Sequence, residues 1–424
     1  MVKFKNMFNK NSLAAKFICI IFSLFILLSL ELTSRVIFPE TLLDRIILIL
    51  KQDPQLFWRQ KANLKTKFEG HQINTDGMGW RNKSLNLAKK QGVRRIICLG
   101  ASPTFGWGVN YEDTYAYHLQ KLLNRNPKNS FEVINAGEIG YSSYQGLLLL
   151  KNEIVRLDPD IITVSYVIND IDKYRFFRSN LLNDKQLLPI NKNIVALMNF
   201  MHQSKFGRVL EKLAFNLSHP ENRYLDNTES VYSPGENRVP ISDYRENLQE
   251  IIDFAFKKEI KLVFIKMPVN LPLPAQLPDS KEAESNAYLE HAKINLAGHS
   301  YAAAKKDLFN ALKINPYLSD AYYYLGICNE KRKKFQIAKL YFKKARKMEV
   351  FRCGLEGKKY NTMMETVADK FSIPLTDVVS AFGRNNQGYL FVDPEHDPIH
   401  PNIAGHMIIA QEIYKTLIKY SLCD

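Results

Sequence analysis

The chain opens on an apolar block. From Phe17 to Leu30 (FICIIFSLFILLSL) there is no charged residue, and the block extends from Leu13 to Leu32 with only Lys16 and Glu31 near its ends. About 20 residues cross a bilayer core, and a lysine near one end reaches the interface through its own flexible stem. Residues 13–32 therefore predict a membrane-crossing helix. Beyond residue 90 the pattern changes to short, continuously apolar runs: RRIICLG (94–100), FEVINAG (131–137), DIITVSYV (160–167) and KLVFIKMP (261–268). Between them lie stretches of helical periodicity around Tyr115–Asn124, Tyr144–Leu157 and Ser242–Glu259. Strands apolar on both faces, alternating with amphipathic helices, predict a parallel sheet with helices on each side, a three-layer α/β domain.

Three segments fall outside that alternation. Residues 34–90 read as a juxtamembrane region, with amphipathic TLLDRIILILK followed by turn signals at Gly77 and Gly79. Residues 171–240 are rich in Asn, Arg and Ser and read as a cap-like excursion from the sheet. Residues 280–350 are helical throughout and repeat themselves. Ala287, Tyr288, Tyr301, Ala304, Leu308 and Ala311 match Ala321, Tyr322, Phe335, Ala338, Phe342 and Ala345, each pair 34 residues apart. That period, with small residues at helix contacts and Leu325–Gly326 in the second copy, resembles a tetratricopeptide pair. The first copy departs from the pattern with His291–Ala292, and the second ends on Val350 rather than proline. The expected organisation is a basic tail and anchor (1–33), the juxtamembrane region (34–90), a split α/β domain (91–279 and 351–424) and the helical insert (280–350).

Charge adds orientation more than function. There are 58 Lys and Arg against 43 Asp and Glu, a formal net charge of +15. Lys3, Lys5, Lys10 and Lys16 all precede the first acidic residue, Glu31, so the positive-inside rule expects a cytoplasmic N-terminus and an extracytoplasmic bulk. A cleaved signal peptide is the competing reading, but LELTSRVIF lacks a small-x-small cleavage site. Elsewhere basic and acidic residues are interspersed with no nucleic-acid signature, and no nucleic-acid partner is expected. The five cysteines, Cys19, Cys98, Cys328, Cys353 and Cys423, form no C-x-x-C pair and no disulfide framework; Cys328 and Cys353 are the one plausible pair.

The candidate chemistry gathers at strand ends. Ser102 follows the first strand in LGASPTFGWGV, where open parallel sheets present their ligand-binding edge. Gly140 follows the second strand in NAGEIGYSSYQ, and can offer a backbone N–H to an oxyanion. Asn169 follows the third in VINDIDKY and can offer a side-chain N–H. Close to the C-terminus, HDPIHPNIAGH sets Asp397 and His400 three residues apart before the last helix. Singly, each has a bland alternative as a turn or cap residue.

Together, in this order, these blocks resemble the SGNH/GDSL hydrolases over about 91–279 and 351–424. The resemblance implies a flavodoxin-like three-layer hydrolase domain, here with an all-α tetratricopeptide insert and an N-terminal transmembrane helix. It implies Ser102 as nucleophile, the Ser102 and Gly140 N–H groups and the Asn169 amide as oxyanion hole, His400 as base and Asp397 as its orienting partner. The family's G-D-S stands here as Gly100–Ala101–Ser102, and its G-x-N-D as Val167–Ile168–Asn169–Asp170. Neither replaced residue belongs to the catalytic set. DPEHDPIH holds two D-x-x-H pairs, Asp393/His396 and Asp397/His400, and the following Pro401, Asn402, Gly405 and His406 select the second. A metal site from Asp393, His396, Asp397, His400 and His406 is the rival reading; it needs several ligands to converge from one turn, and no metal or cofactor is expected.

The expected function is a membrane-anchored, extracytoplasmic serine esterase. The resemblance implies removal of small O-acyl groups such as acetyl from a carbohydrate or envelope polymer. The alternatives are an O-acyltransferase on a polysaccharide and a non-catalytic scaffold that binds a protein partner through residues 280–350.

Overall fold

The computed structural model describes residues 13–40, 42–83, 86–126, 130–172, 183–218, 237–275, 277–385, 387–393, 395 and 397–423. Its first helix, α1 (Leu13–Ile37), contains a stretch, Lys16–Ile37, long and apolar enough to cross a membrane and only 6% buried by the rest of the chain. That is the length and composition of a membrane anchor or a signal sequence. A short amphipathic helix α2 (Leu42–Ile49) leads into two antiparallel hairpins, β1 (Leu50–Asp53) with β2 (Phe57–Gln60) and β3 (Lys65–Phe68) with β4 (His71–Asn74). Residues 34–90 are thus largely structured. Trp58 and Trp80 within them are fully buried.

The central domain follows as β5 (Arg94–Gly100), a single helical turn α3 (Ser102–Phe105), α4 (Tyr115–Leu123), β6 (Phe131–Gly137), α5 (Ser143–Asn152), β7 (Ile161–Ser165) and the turn α6 (Ile168–Ile171). Two helices, α7 (Lys192–Met201) and α8 (Lys205–Ser218), occupy the described part of the 171–240 excursion. The domain resumes with α9 (Ile241–Lys257) and β8 (Lys261–Lys266). Four long helices come next, α10 (Asp279–Ala297), α11 (Tyr301–Ile314), α12 (Ser319–Lys331) and α13 (Phe335–Phe371). The chain closes with β9 (Leu375–Asp377), α14 (Val378–Arg384), a hairpin of β10 (Phe391–Asp393) and β11 (Asp397–Pro401), and α15 (Ile403–Lys419).

Five strands form one sheet in the order β6-β5-β7-β8-β9, every pair parallel. Two apolar cores flank it. One is built on Ile97, Leu99, Leu149, Ile162, Ile251 and Tyr360, the other on Ile96, Cys98, Leu119, Val263, Ile409 and Ile413. Successive residues of one strand, such as Ile96 and Ile97, enter opposite cores, which is why these strands read as unbroken apolar runs. The fifth strand, β9, was not visible in the periodicity because it has three residues and contains Thr376 and Asp377.

The 34-residue offset has a physical counterpart. Ala304, Leu308 and Ala311 on α11, and Ala338, Phe342 and Ala345 on α13, are all buried, and Phe342 lies against Gly326, where a Cβ would collide with its ring. The structure departs from the expected insert boundary at 350, because α13 passes through Val350 unbroken and ends at Phe371. Its second half, with Tyr360, Met364, Val367 and Ala368, packs into the sheet domain. No proline interrupts it, and Gly354 is tolerated in mid-helix where a Cβ would meet the Pro272 carbonyl. All five cysteines are free, Cys328 buried and Cys353 half-buried.

Candidate active site

The register of the sheet aligns the three strands that carry the candidate residues. Gly100 at the end of β5 pairs with Gly137 of β6 on one side and Ser165 of β7 on the other. Ser102, Gly140 and Asn169 then follow within a few residues on the same edge. Ser102 opens α3, whose turn is closed by Gly106 in the left-handed region (φ 85°), with the Gly106 and Trp107 N–H groups donating to the Ser102 carbonyl at 3.0 and 3.1 Å. Asn135 Nδ2 donates to the Thr104 carbonyl (2.8 Å), and the Tyr115 hydroxyl to Thr104 Oγ1 (3.0 Å), so β6 and α4 both fix the turn.

Asp397 and His400 arrive from the other end of the chain on β11. His400 Nε2 lies 2.8 Å from Ser102 Oγ, and His400 Nδ1 lies 2.6 Å from Asp397 Oδ1. An ionised carboxylate only accepts, so Nδ1 carries the hydrogen and Nε2 is left to accept the serine proton. Ser102 is buried, and the His400 and Asp397 side chains are 12% and 22% exposed. The Trp107 ring stacks on His400, centroids 5.6 Å apart and planes 27° apart, and is backed edge-on by Phe68 of β3 at 5.0 Å.

Gly140 has φ +77°, a conformation costly for any side-chain-bearing residue, and this turns its backbone out of the extended path of β6. Among the described residues neither its N–H nor that of Ser102 has a hydrogen-bond partner. The Gly140 carbonyl, by contrast, accepts from Arg238 Nη1 at 2.8 Å. Asn169 Nδ2 donates to the Tyr141 carbonyl at 3.1 Å, which ties the third loop to the second and leaves one amide hydrogen uncommitted. Asp170 beside it is fully buried and accepts from both the N–H and the hydroxyl of Ser143 through Oδ1 (2.8 and 2.6 Å); burial pushes its carboxyl up to about 7.

The remaining residues of HDPIHPNIAGH have structural uses. Asn402 caps α15, accepting from the Gly405 N–H at 3.0 Å and donating to the Tyr389 and Phe391 carbonyls. His406 is fully buried, its Nδ1 accepts from the Tyr115 N–H at 3.2 Å, and burial takes its imidazole down to about 3. It is a neutral packing histidine. Among the described residues no three His, Cys, Asp or Glu side chains are grouped to hold a metal. Of the rival pair, His396 lies outside the described residues, and Asp393 accepts from the Glu395 N–H at the hairpin turn.

Other contributors carried no signal in the periodicity. Arg81 is buried and donates to four carbonyls, those of Gln72, Phe105, Gly106 and Val109, and so holds the loop that carries Trp107. Arg238 is also buried, paired with Asp184 (2.9 Å) and laid over the Trp58 ring. The Asp184 carboxylate in turn accepts from the Ser142 hydroxyl at 2.6 Å. Beside Ser102 an apolar cleft of about 20 Å³ is lined by Ala101, Val167, Ile168, Met267, Val269 and Ile399, among others.

No family model and no curated protein matches the chain. Among solved structures it is similar to the acetyl xylan esterase AlAXEase, at 13% identity and TM-score 0.38 over 76% of this chain and 99% of that one. It is similar to a lipase/acylhydrolase from Enterococcus faecalis at 12% identity and TM-score 0.36, covering 77% and 96% of the two chains. The enzyme LAE5 from the metagenome of Lake Arreo gives 16% identity and TM-score 0.36, covering 76% and 94%.

Proposed function

We propose that the chain is a serine ester hydrolase of the SGNH type. The observation that carries this is the unbroken hydrogen-bonded series Ser102 Oγ, His400 Nε2, His400 Nδ1, Asp397 Oδ1, at 2.8 and 2.6 Å. A serine hydroxyl is a poor nucleophile until a base within hydrogen-bond reach takes its proton. His400 accepts that proton as Ser102 Oγ attacks the ester carbonyl, and Asp397 holds the ring in the required tautomer and stabilises the imidazolium. The carbonyl oxygen gains negative charge in the tetrahedral intermediate, and the Ser102 and Gly140 N–H groups with the Asn169 amide are the donors offered to it. His400 then returns the proton to the departing alkoxide, leaving acyl-Ser102 and free alcohol. Water, deprotonated by the same imidazole, releases the acid and restores Ser102.

The cleft beside Ser102 favours a small acyl group. Its lining of Ala101, Val167, Ile168, Met267, Val269 and Ile399 is narrow and apolar, a fit for an acetyl methyl. The substrate class we propose is an O-acetylated carbohydrate or envelope polymer. The α1 helix anchors the enzyme, the N-terminal lysines keep that end cytoplasmic, and the catalytic domain lies outside; residues 280–350 act as a tetratricopeptide pair that holds a partner or polymer. Acetate release from a panel of acetylated glycans tests the reading: at least one should be deacetylated by the wild-type chain and not by Ser102→Ala, and no release from any glycan or aryl acetate would overturn it.

A further inference from the structure

The two helices of the excursion leave apolar side chains uncovered: α7 turns a whole apolar face away from the protein, and α8 leaves part of its stripe exposed. On α7, Val195 is buried, as is His202 just past its end, and Asn199 binds the Gln52 backbone through both its amide atoms (2.8 and 3.0 Å), which defines the inward face. The outward face holds Ile194 (52% exposed), Leu197 (59%), Phe200 (70%) and Met201 (38%). At 100° per residue these four fall within about 120° around the axis. Leu210 and Leu213 on α8 are exposed as well. An apolar helix face turned away from the protein needs something apolar to cover it.

What covers it is indicated by where the helices are fastened. Glu31, at the end of the uncharged stretch of α1, accepts from the first N–H groups of α8, those of Lys205 (3.0 Å) and Phe206 (2.9 Å). Lys205 Nζ bridges to Asp44 (2.7 Å) and the Pro39 carbonyl, and Arg208 pairs with the same Asp44. The start of α8 is thereby locked at the level of Glu31. Residues 13–30, at 1.5 Å per residue, rise about 27 Å, close to the roughly 30 Å of a bilayer's hydrocarbon core. Glu31 therefore marks the membrane surface if α1 spans, and α7 and α8 start from that surface with apolar side chains outward.

We propose that α7 and α8 are an in-plane membrane contact, with Ile194, Leu197, Phe200, Met201, Leu210 and Leu213 seated in the interfacial layer of the bilayer that α1 crosses. The proposal rests on the reading of α1 as an anchor. It makes the excursion a foot rather than a lid, which holds the sheet domain at a fixed height above the lipid.

The test uses the full-length chain in phospholipid nanodiscs, with exposed and half-buried native cysteines (Cys19, Cys353, Cys423) replaced by serine. An environment-sensitive fluorophore is placed through Leu197→Cys, Phe200→Cys, Ile26→Cys in α1, or Ile294→Cys on α10 as a control that is also apolar and exposed. Lipids brominated near the headgroup end of the chain should reduce the emission at positions 197 and 200, more than lipids brominated near the chain terminus, while position 294 is unaffected. Quenching at 26 with none at 197 and 200 overturns the proposal and leaves the anchor intact. Quenching absent at 26 refutes the anchor and the proposal with it, and the signal at 26 tells that failure apart from failure of the contact alone. Cross-linking of position 197 between two copies, without lipid quenching, would assign the face to a second copy and also overturn the proposal.

Discussion

Arg238 is the residue whose removal best separates holding the fold together from holding the oxyanion site. Its guanidinium pairs with Asp184, donates to the Gly140 carbonyl at 2.8 Å and reaches Gln145 Oε1. Arg238→Met keeps most of the volume and the contact with Trp58 but leaves the Asp184 carboxylate fully buried with the Ser142 hydroxyl as a remaining donor. Breaking one partner out of a buried pair costs about 3–5 kcal/mol, a large share of the roughly 5–15 kcal/mol that holds a domain folded. The single variant alone is therefore ambiguous. Arg238→Met with Asp184→Leu removes both charges, and such neutral replacements recover most of the lost stability. Neither variant restores the donor on the Gly140 carbonyl. If that donor fixes the Gly140 backbone, and through its Cα the N–H on the other side that is offered to the oxyanion, kcat on an aryl acetate stays about a hundredfold down in the double variant, the scale of one oxyanion donor, with KM little changed. Thermal melting and steady-state kinetics on the two variants suffice. Recovery of kcat in step with melting temperature would refute the positioning role and leave Arg238 a structural residue.

Four further outcomes are expected. His400→Ala should reduce ester hydrolysis by several orders of magnitude and His396→Ala far less, because members of one triad act as a unit; equal losses would refute the choice of Asp397/His400 over Asp393/His396. Trp107→Ala removes the ring stacked on His400, and kcat should fall about three- to tenfold, the worth of one aromatic contact, with little change in melting temperature; an unchanged kcat would show that Asp397 alone holds the ring. Asp170 has a carboxyl raised by burial to about 7, so the folded chain holds this proton more tightly than the unfolded chain. Its contribution is complete below the ordinary carboxylate range and is lost as pH climbs to about 7, so melting temperature should fall across that window and Asp170→Asn should flatten the slope; identical slopes would contradict the assignment. Replacing residues 280–346 by a Gly/Ser linker, which spares the Arg352 contact with the Ile171 carbonyl (2.8 Å), should leave aryl acetate hydrolysis intact and lower turnover of the polymer; no change in either would make the helices a passive spacer.

The sheet was legible where its strands are buried on both faces. Four of five strands announced themselves as apolar runs, and β9 did not, since an edge strand of three residues with an aspartate has no such run to show. Ser102, Asp397 and His400 were put forward together by the resemblance that their blocks carry, each at a strand end or just before a helix, and the structure brings the three side chains within hydrogen-bond reach. Trp107, Arg81 and Arg238 were not legible. Their roles come from contacts across long sequence separations, as in Arg238 to Gly140 or Phe68 to Trp107, and no local pattern encodes those. The helices α7 and α8 were passed over for a different reason: the Asn, Arg and Ser content of 171–240 outweighed a stripe that was present, Phe206, Val209, Leu210 and Leu213 lying on one side of α8. At the end of the insert, Val350 in place of a closing proline was the visible sign that α13 continues.

The claim on which everything else depends is that His400 makes Ser102 a nucleophile. The direct measurement is reaction of the full-length chain with a fluorophosphonate, followed by mapping of the adduct by peptide mass spectrometry. A single phosphonylated residue, Ser102, is expected, with the adduct absent in Ser102→Ala and formed far more slowly in His400→Ala. An unlabelled Ser102 in the folded wild-type chain, or labelling at Ser102 that proceeds at the same rate without His400, would contradict it.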